Sequence, residues 1–215
     1  MKVLIVSATE VEITPFVKQL GSMILTKKQV DILITGVGMM ATTYKLTEAL
    51  QYNEYDLVLQ AGVGGSFDKD LPLGSVVFIT SDQYGDLGAE DHDKYIDIFE
   101  LGLLNENAYP YTDGKLLTPL HPIHKKITLP QVSAITVNTV SGNEHTIKRR
   151  WEKYSCAIES MEGAAFHYVC LQEGTKFAQV RAISNSVTPR DKNQWQMKDA
   201  IINLNNWLIS FIQNI

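Results

Sequence analysis

Residues 33–50 read LITGVGMMATTYKLTEAL: an apolar run, a turn bracketed by Gly36 and Gly38, then an amphipathic run. An apolar run entering residues 40–52, with Ala41, Tyr44, Leu46 and Leu50 available for a core, predicts a strand–turn–helix unit. Comparable runs rich in Val and Ile recur at 2–8, 30–36, 55–62, 75–81, 132–140 and 177–185. They do not alternate between apolar and polar, as befits strands of a parallel sheet covered on both faces. Residues 160–173 read as a helix stopped at Gly174. Ile201, Leu204, Leu208 and Phe211, spaced three, four and three apart, predict a closing amphipathic helix. The predicted fold class is therefore α/β: one domain over 1–215, three layers α/β/α, with a mixed, mostly parallel sheet. Residues 92–125 break the pattern and are expected to form a long excursion, a lid or a contact with a partner subunit.

Composition excludes several classes. The 215 residues are 45% hydrophobic and 20% charged, with a net charge of −5. A nucleic-acid binder would gather Lys and Arg on one face. Here the only dense basic run is Lys148-Arg149-Arg150, read as a solvated helix surface. Neither Cys156 nor Cys170 belongs to a C-x-x-C pair, so buried reduced thiols in a cytoplasmic protein are expected rather than a disulfide or zinc. The opening MKVLIVSATEVE lacks the pattern of a signal peptide, and no apolar run reaches the ~18–20 residues of a membrane span.

Gly36-Val37-Gly38-Met39-Met40-Ala41 matches the G-x-G-x-x-A of a dinucleotide-binding turn. Such a turn normally follows the first strand, and an acid closes the next one to hold the ribose. Here the first strand ends Ser7-Ala8-Thr9-Glu10, and the strand after the glycines ends in Gln60-Ala61. The motif is read as a tight turn, not as a cofactor site. A second cluster, Gly62, Gly64 and Gly65, lies just beyond the 55–62 run, at the strand ends where open parallel sheets bind ligands.

SATEVE (7–12), QAGVGGS (60–66), ESMEGAAFHYVC (159–170) and RAISNSV (181–187), in this order, resemble the purine nucleoside phosphorylase/uridine phosphorylase superfamily over nearly the whole chain. Within it the chain is most similar to the futalosine hydrolase branch, through ATEVE, DLGAED (86–91), MEGAA, ISN and RDKNQW (190–195). The methylthioadenosine/S-adenosylhomocysteine nucleosidases come next. The resemblance implies a purine nucleoside substrate, a nucleoside phosphorylase-like fold, no cofactor and no metal, and a homo-oligomer, a dimer or larger. It also implies menaquinone synthesis as the pathway if futalosine is the substrate.

Cleaving an N-glycosidic bond requires a ribose that tolerates positive charge, a stabilised leaving base, and an aimed, deprotonated water. On the resemblance, Glu12 is the water-activating base. A helix capped at Thr9 would carry Pro15 in its interior at a cost of ~3 kcal/mol. A helix capped at Thr14 avoids this, and would leave Glu12 in the loop after the first strand. Glu162 corresponds to the carboxylate that holds the ribose hydroxyls, with Met161 packed on the sugar. Asn185 stands where adenine-cleaving relatives carry Asp. An amide cannot supply a proton, but its oxygen can accept from N7–H while its NH₂ donates to a 6-oxo group, which predicts hypoxanthine as the leaving base. Val63, Gly64, Thr146 and Ile147 are expected to line the pocket, the last two from SGNEHTI (141–147). His145 and Trp195 are secondary candidates, and Phe67, Tyr84, Tyr109 and Arg190 could meet a 5′ substituent. Phosphorylases of the superfamily place an arginine before the glycine loop and a Ser or Thr within it. Here those positions are Gln60 and Val63, so water is the expected nucleophile.

Overall fold

The computed structural model describes residues 1–215 apart from Ile24, Thr26 and the side chain of Lys192. The chain runs β1 (Lys2–Ser7), α1 (Glu10–Leu20), β2 (Gln29–Ile34), α2 (Met39–Tyr52), β3 (Leu57–Ser66) and β4 (Val76–Asp82). It continues with β5 (Gly88–Asp91), β6 (Lys94–Asp97), β7 (Leu116–Leu117), β8 (Gln131–Thr136), α3 (Glu144–Tyr154) and β9 (Ile158–Ser160). It ends with α4 (Gly163–Gln172), β10 (Phe177–Ser186) and α5 (Met197–Asn214).

The apolar runs form one mixed sheet in which β2, β1, β3 and β10 lie side by side and parallel. Beyond β10 come β4, antiparallel to it, then β8 and β9, and β9 returns to pair with the far end of β3. The strand ends thus curl towards one another around the last residues of β3.

Strand periodicity divides the core between two helical layers. From β1, Val3 and Ile5 pack with Ile13 and Phe16 of α1 and with Ala200, Leu204 and Leu208 of α5. Leu4 and Val6 face the other way, against Leu46 of α2 and Phe166, Val169 and Cys170 of α4. Because both faces are covered, the strand can be apolar at every position.

Three boundaries differ from expectation. Helix α1 is capped at Thr9, not Thr14, and keeps Pro15 inside it. The run at 55–62 extends to Ser66, because the glycine cluster is itself strand, paired with both β10 and β9. The predicted helix at 160–173 begins at Gly163, after the short strand β9. Within 92–125, β6 completes a hairpin with β5 and β7 pairs with β4.

Candidate active site

A cavity of about 460 Å3 opens where the ends of β3, β9 and β10 meet the N-terminus of α1. Glu12, Val63, Gly64, Met161, Glu162 and Asn185 all line it, together with Glu159, Ser184, Arg190 and Trp195. Residues far apart in sequence converge here because they lie in the last residues of strands that end at this edge of the sheet or in the segments that follow them.

Glu12 is buried, at the third position of α1. Its Oε2 accepts from the Thr9 N–H at 3.0 Å, the Thr9 hydroxyl at 2.8 Å and the Ser7 hydroxyl at 3.3 Å. Its Oε1 accepts from the Val63 N–H at 3.0 Å. Glu12 therefore serves the helix start and faces the cavity at once. The loop position expected from Pro15 is wrong because tertiary contacts outweigh the local proline penalty.

Glu162 stands at the N-cap position of α4 and is also buried. Its Oε1 accepts from the Gly38 N–H at 3.0 Å. Gly36 and Gly38 both have positive φ, 87° and 94°, in the region that only glycine enters freely. The glycine turn that opens α2 thus hands a backbone donor to Glu162, which is the use this chain makes of its dinucleotide-like motif.

Beside Glu162 lies a residue not singled out from the sequence. Arg181 of β10 is 1% exposed, and its Nη1 approaches Glu162 Oε2 at 3.5 Å. Its Nε donates to Gln179 Oε1 and its Nη2 to Gln60 Oε1, each at 2.9 Å. A Cβ at Gly62 would stand 2.5 Å from Arg181 Nη1 and 3.0 Å from Glu12 Oε1. Gly62 is therefore what lets cation and carboxylate close over the β3 backbone. The available signal was a charge inside an apolar strand, FAQVRAISN.

Beneath Arg181 the buried polar chain continues. Gln179 Nε2 donates to Asp82 Oδ2 at 3.0 Å and contacts His167 Nε2 at 2.9 Å, while His167 Nδ1 meets the Leu116 carbonyl. Burial raises the Asp82 carboxyl to about 6, although Gln179, Thr136 and Arg181 pull it down. Burial lowers the His167 imidazole to about 4. A neutral His167 donating from Nδ1 and accepting at Nε2 satisfies both neighbours.

Asn185 owes its position to a bulge. Ile183 pairs with Gly64 and Asn185 with Gly65, so Ser184 is an extra residue that re-aims the strand end. Asn185 Oδ1 accepts from the Ser184 hydroxyl at 2.9 Å and Nδ2 donates to the Ser186 carbonyl at 3.0 Å. One N–H and one lone pair remain for a ligand.

The SGNEHTI loop is placed differently from expectation. Glu159 accepts from the Ser141 N–H and hydroxyl and pairs with Arg150 at 2.9 Å, while Asp86 accepts from the N–H groups of Asn138 and Thr139. This buried clamp puts Val140 into the cavity wall. Thr146 and Ile147 belong to the first turn of α3 and are not lining residues. His145 is exposed on the same turn. Of the four residues considered for a 5′ group, only Arg190 lines the cavity, with its guanidinium 5.5 Å from the Trp195 ring centroid.

The sequence from residue 5 to 213 matches the family model described as the phosphorylase superfamily. A futalosine hydrolase of Streptomyces coelicolor is 31% identical over 178 residues, covering 80% of this chain and 73% of that protein. A 5'-methylthioadenosine/S-adenosylhomocysteine nucleosidase of Colwellia psychrerythraea is 26% identical over 174 residues, 75% of this chain and 68% of that protein. The structure of such a nucleosidase from Helicobacter pylori, solved with butyl-thio-DADMe-Immucillin-A, superposes with a TM-score of 0.82 at 18% identity. It covers 100% of this chain and 99% of that one.

Proposed function

Since this chain belongs to the phosphorylase superfamily, in its futalosine hydrolase branch, we infer that it hydrolyses futalosine at the N-glycosidic bond and releases hypoxanthine. The observation that carries this reading is Asn185, an amide on the cavity wall with a free donor and a free acceptor. Against a 6-oxopurine it can accept from N7–H and donate to O6. An aspartate would meet O6 acceptor to acceptor, and an unpaired buried polar group costs ~1–3 kcal/mol.

In the reaction, water attacks C1′ as the C1′–N9 bond breaks and its electron pair leaves with the base. Glu12 takes the water's proton, and solvent, not Asn185, supplies the proton the base finally carries. Glu162 holds the ribose hydroxyls, bonds that strengthen as positive charge grows on the sugar. Arg181 pairs with Glu162, offsets part of the negative charge of the site and can orient the water. Water is favoured over phosphate on electrostatic grounds. Glu12, Glu159 and Glu162 line the cavity, and Arg181 is already engaged with Gln60 and Gln179.

The rim gives the rest of the reading. Val11 and Val37 line the cavity yet are 68% and 56% exposed, and Met40, Tyr44 and Tyr52 continue this apolar face along α2. A second copy of the chain covering this face would close the 5′ side of the site. Among the described residues no helix is long and apolar enough to cross a membrane, and buried free Cys156 and Cys170 suit a reducing cytoplasm. The test is a panel of futalosine, inosine and methylthioadenosine, with hypoxanthine and adenine quantified separately, without phosphate and with EDTA. Hypoxanthine from futalosine under these conditions is expected. A strict phosphate requirement, or adenine as the preferred product, would overturn the reading.

A further inference from the structure

Pro15 sits six positions into α1, where it lacks the ladder N–H and its ring crowds the Val11 carbonyl. Just beyond it, the Phe16 N–H donates to Asn205 Oδ1 at 2.8 Å, and Asn205 Nδ2 donates to the Glu12 carbonyl at 2.8 Å. In an uninterrupted helix those two backbone groups bond each other. The side-chain amide from α5 thus spans the ladder next to Pro15, at the backbone of Glu12 itself. The other Nδ2 hydrogen goes to the Ile201 carbonyl of its own helix at 2.6 Å, which fixes the amide's orientation.

Asn205 is 1% exposed and stands among Ala200, Leu204, Leu208 and Phe211, where an apolar residue would be the ordinary choice. We propose that Asn205 is a positioning residue for Glu12: it fixes the backbone at the root of that side chain, while Thr9, Ser7 and Val63 fix its carboxylate. The inference rests on reading Glu12 as the general base. Held at both ends, the carboxylate has little freedom to swing from the attacking water. A displacement of about 1 Å in such a group can cost roughly a hundredfold in rate.

The experiment compares Asn205→Leu, Asn205→Asp and the double variant Pro15→Ala/Asn205→Leu with the parent enzyme, by steady-state kinetics on futalosine and thermal melting. Asn205→Leu should lower kcat by roughly 10- to 100-fold with KM within about threefold, since water activation and not substrate binding is disturbed. Asn205→Asp keeps the acceptor for Phe16 and loses the donor to Glu12, and should fall in the same direction even if the leucine variant folds poorly. In the double variant residue 15 regains its N–H and Phe16 can bond Glu12 directly, so kcat should recover most of the loss. A folded Asn205→Asp or Asn205→Leu protein with parental kcat overturns the proposal. So does a loss that appears as KM alone, or one that Pro15→Ala does not relieve. Glu12→Gln separates the two readings: if it stays active, the role of Glu12 fails. If it is inactive while the Asn205 variants are unimpaired, only the role of Asn205 fails.

Discussion

Arg181 Nη1 lies 3.5 Å from Glu162 Oε2, and a Cβ at Gly62 would stand 2.5 Å from the same nitrogen and 3.0 Å from Glu12 Oε1. The buried guanidinium thus pairs with one carboxylate of the site, and the missing Gly62 side chain leaves room for it and for the other. Burying two acids around a small cavity is unfavourable unless a cation stands with them. Arg181 stands beside Glu162 as that cation, and Gln179 and Gln60 accept from its Nε and Nη2.

Replacing Arg181 with Met should remove activity and also destabilise the fold. Breaking a buried ion pair by removing one partner costs ~3–5 kcal/mol, or roughly 10 °C in Tm for a chain of this size. A variant that melts with the parent protein would show that the carboxylates do not depend on this charge.

Glu12→Gln keeps the shape and most of the acceptor role of the side chain but cannot take a proton from water. The expected loss in kcat is about 10²–10⁴-fold, with little change in KM. Release of base from futalosine at the parent rate would remove Glu12 from the chemistry.

Asn185→Asp tests base selection directly. It should depress hypoxanthine release and raise adenine release from methylthioadenosine, changing the ratio by about 10- to 100-fold, from one or two polar mismatches. An unchanged ratio would place the discrimination elsewhere in the cavity.

The pair beneath the site predicts opposing pH effects on stability. Burial raises Asp82 to about 6, so its contribution is full below the ordinary carboxylate range and is lost as pH rises through about 6. Burial lowers His167 to about 4, so its contribution is full above the ordinary imidazole value and is lost as pH falls through about 4. Between these values the two partly offset each other. Urea unfolding from pH 4 to 7.5 should therefore show Asp82→Asn losing stability on acidification more steeply than the parent, and His167→Gln less steeply. Parallel profiles for all three proteins would contradict the assignment.

Much of the fold was legible because its signals are local. The runs at 2–8, 30–36 and 177–185 fall on β1, β2 and β10, and the spacing of Ile201, Leu204, Leu208 and Phe211 falls on α5. Pro15 misled because the cost of an interior proline is local, while its compensation by Asn205 comes from 190 residues downstream. Thr146 and Ile147 misled because the clamp of Arg150 on Glu159 sets where the loop ends and α3 begins, and spacing does not reveal that.

The sequence by itself determined the layered α/β architecture, the family and the candidate residues Glu12, Glu162 and Asn185, since apolar periodicity and short motifs are properties of adjacent residues. Only the tertiary structure decided that Arg181 stands beside Glu162, that Gly38 donates to Glu162, and that Asn205 supports the backbone of Glu12. Each of these joins residues from separate elements, and hydrogen bonds and ion pairs act over about 3–4 Å of space however long the chain between them.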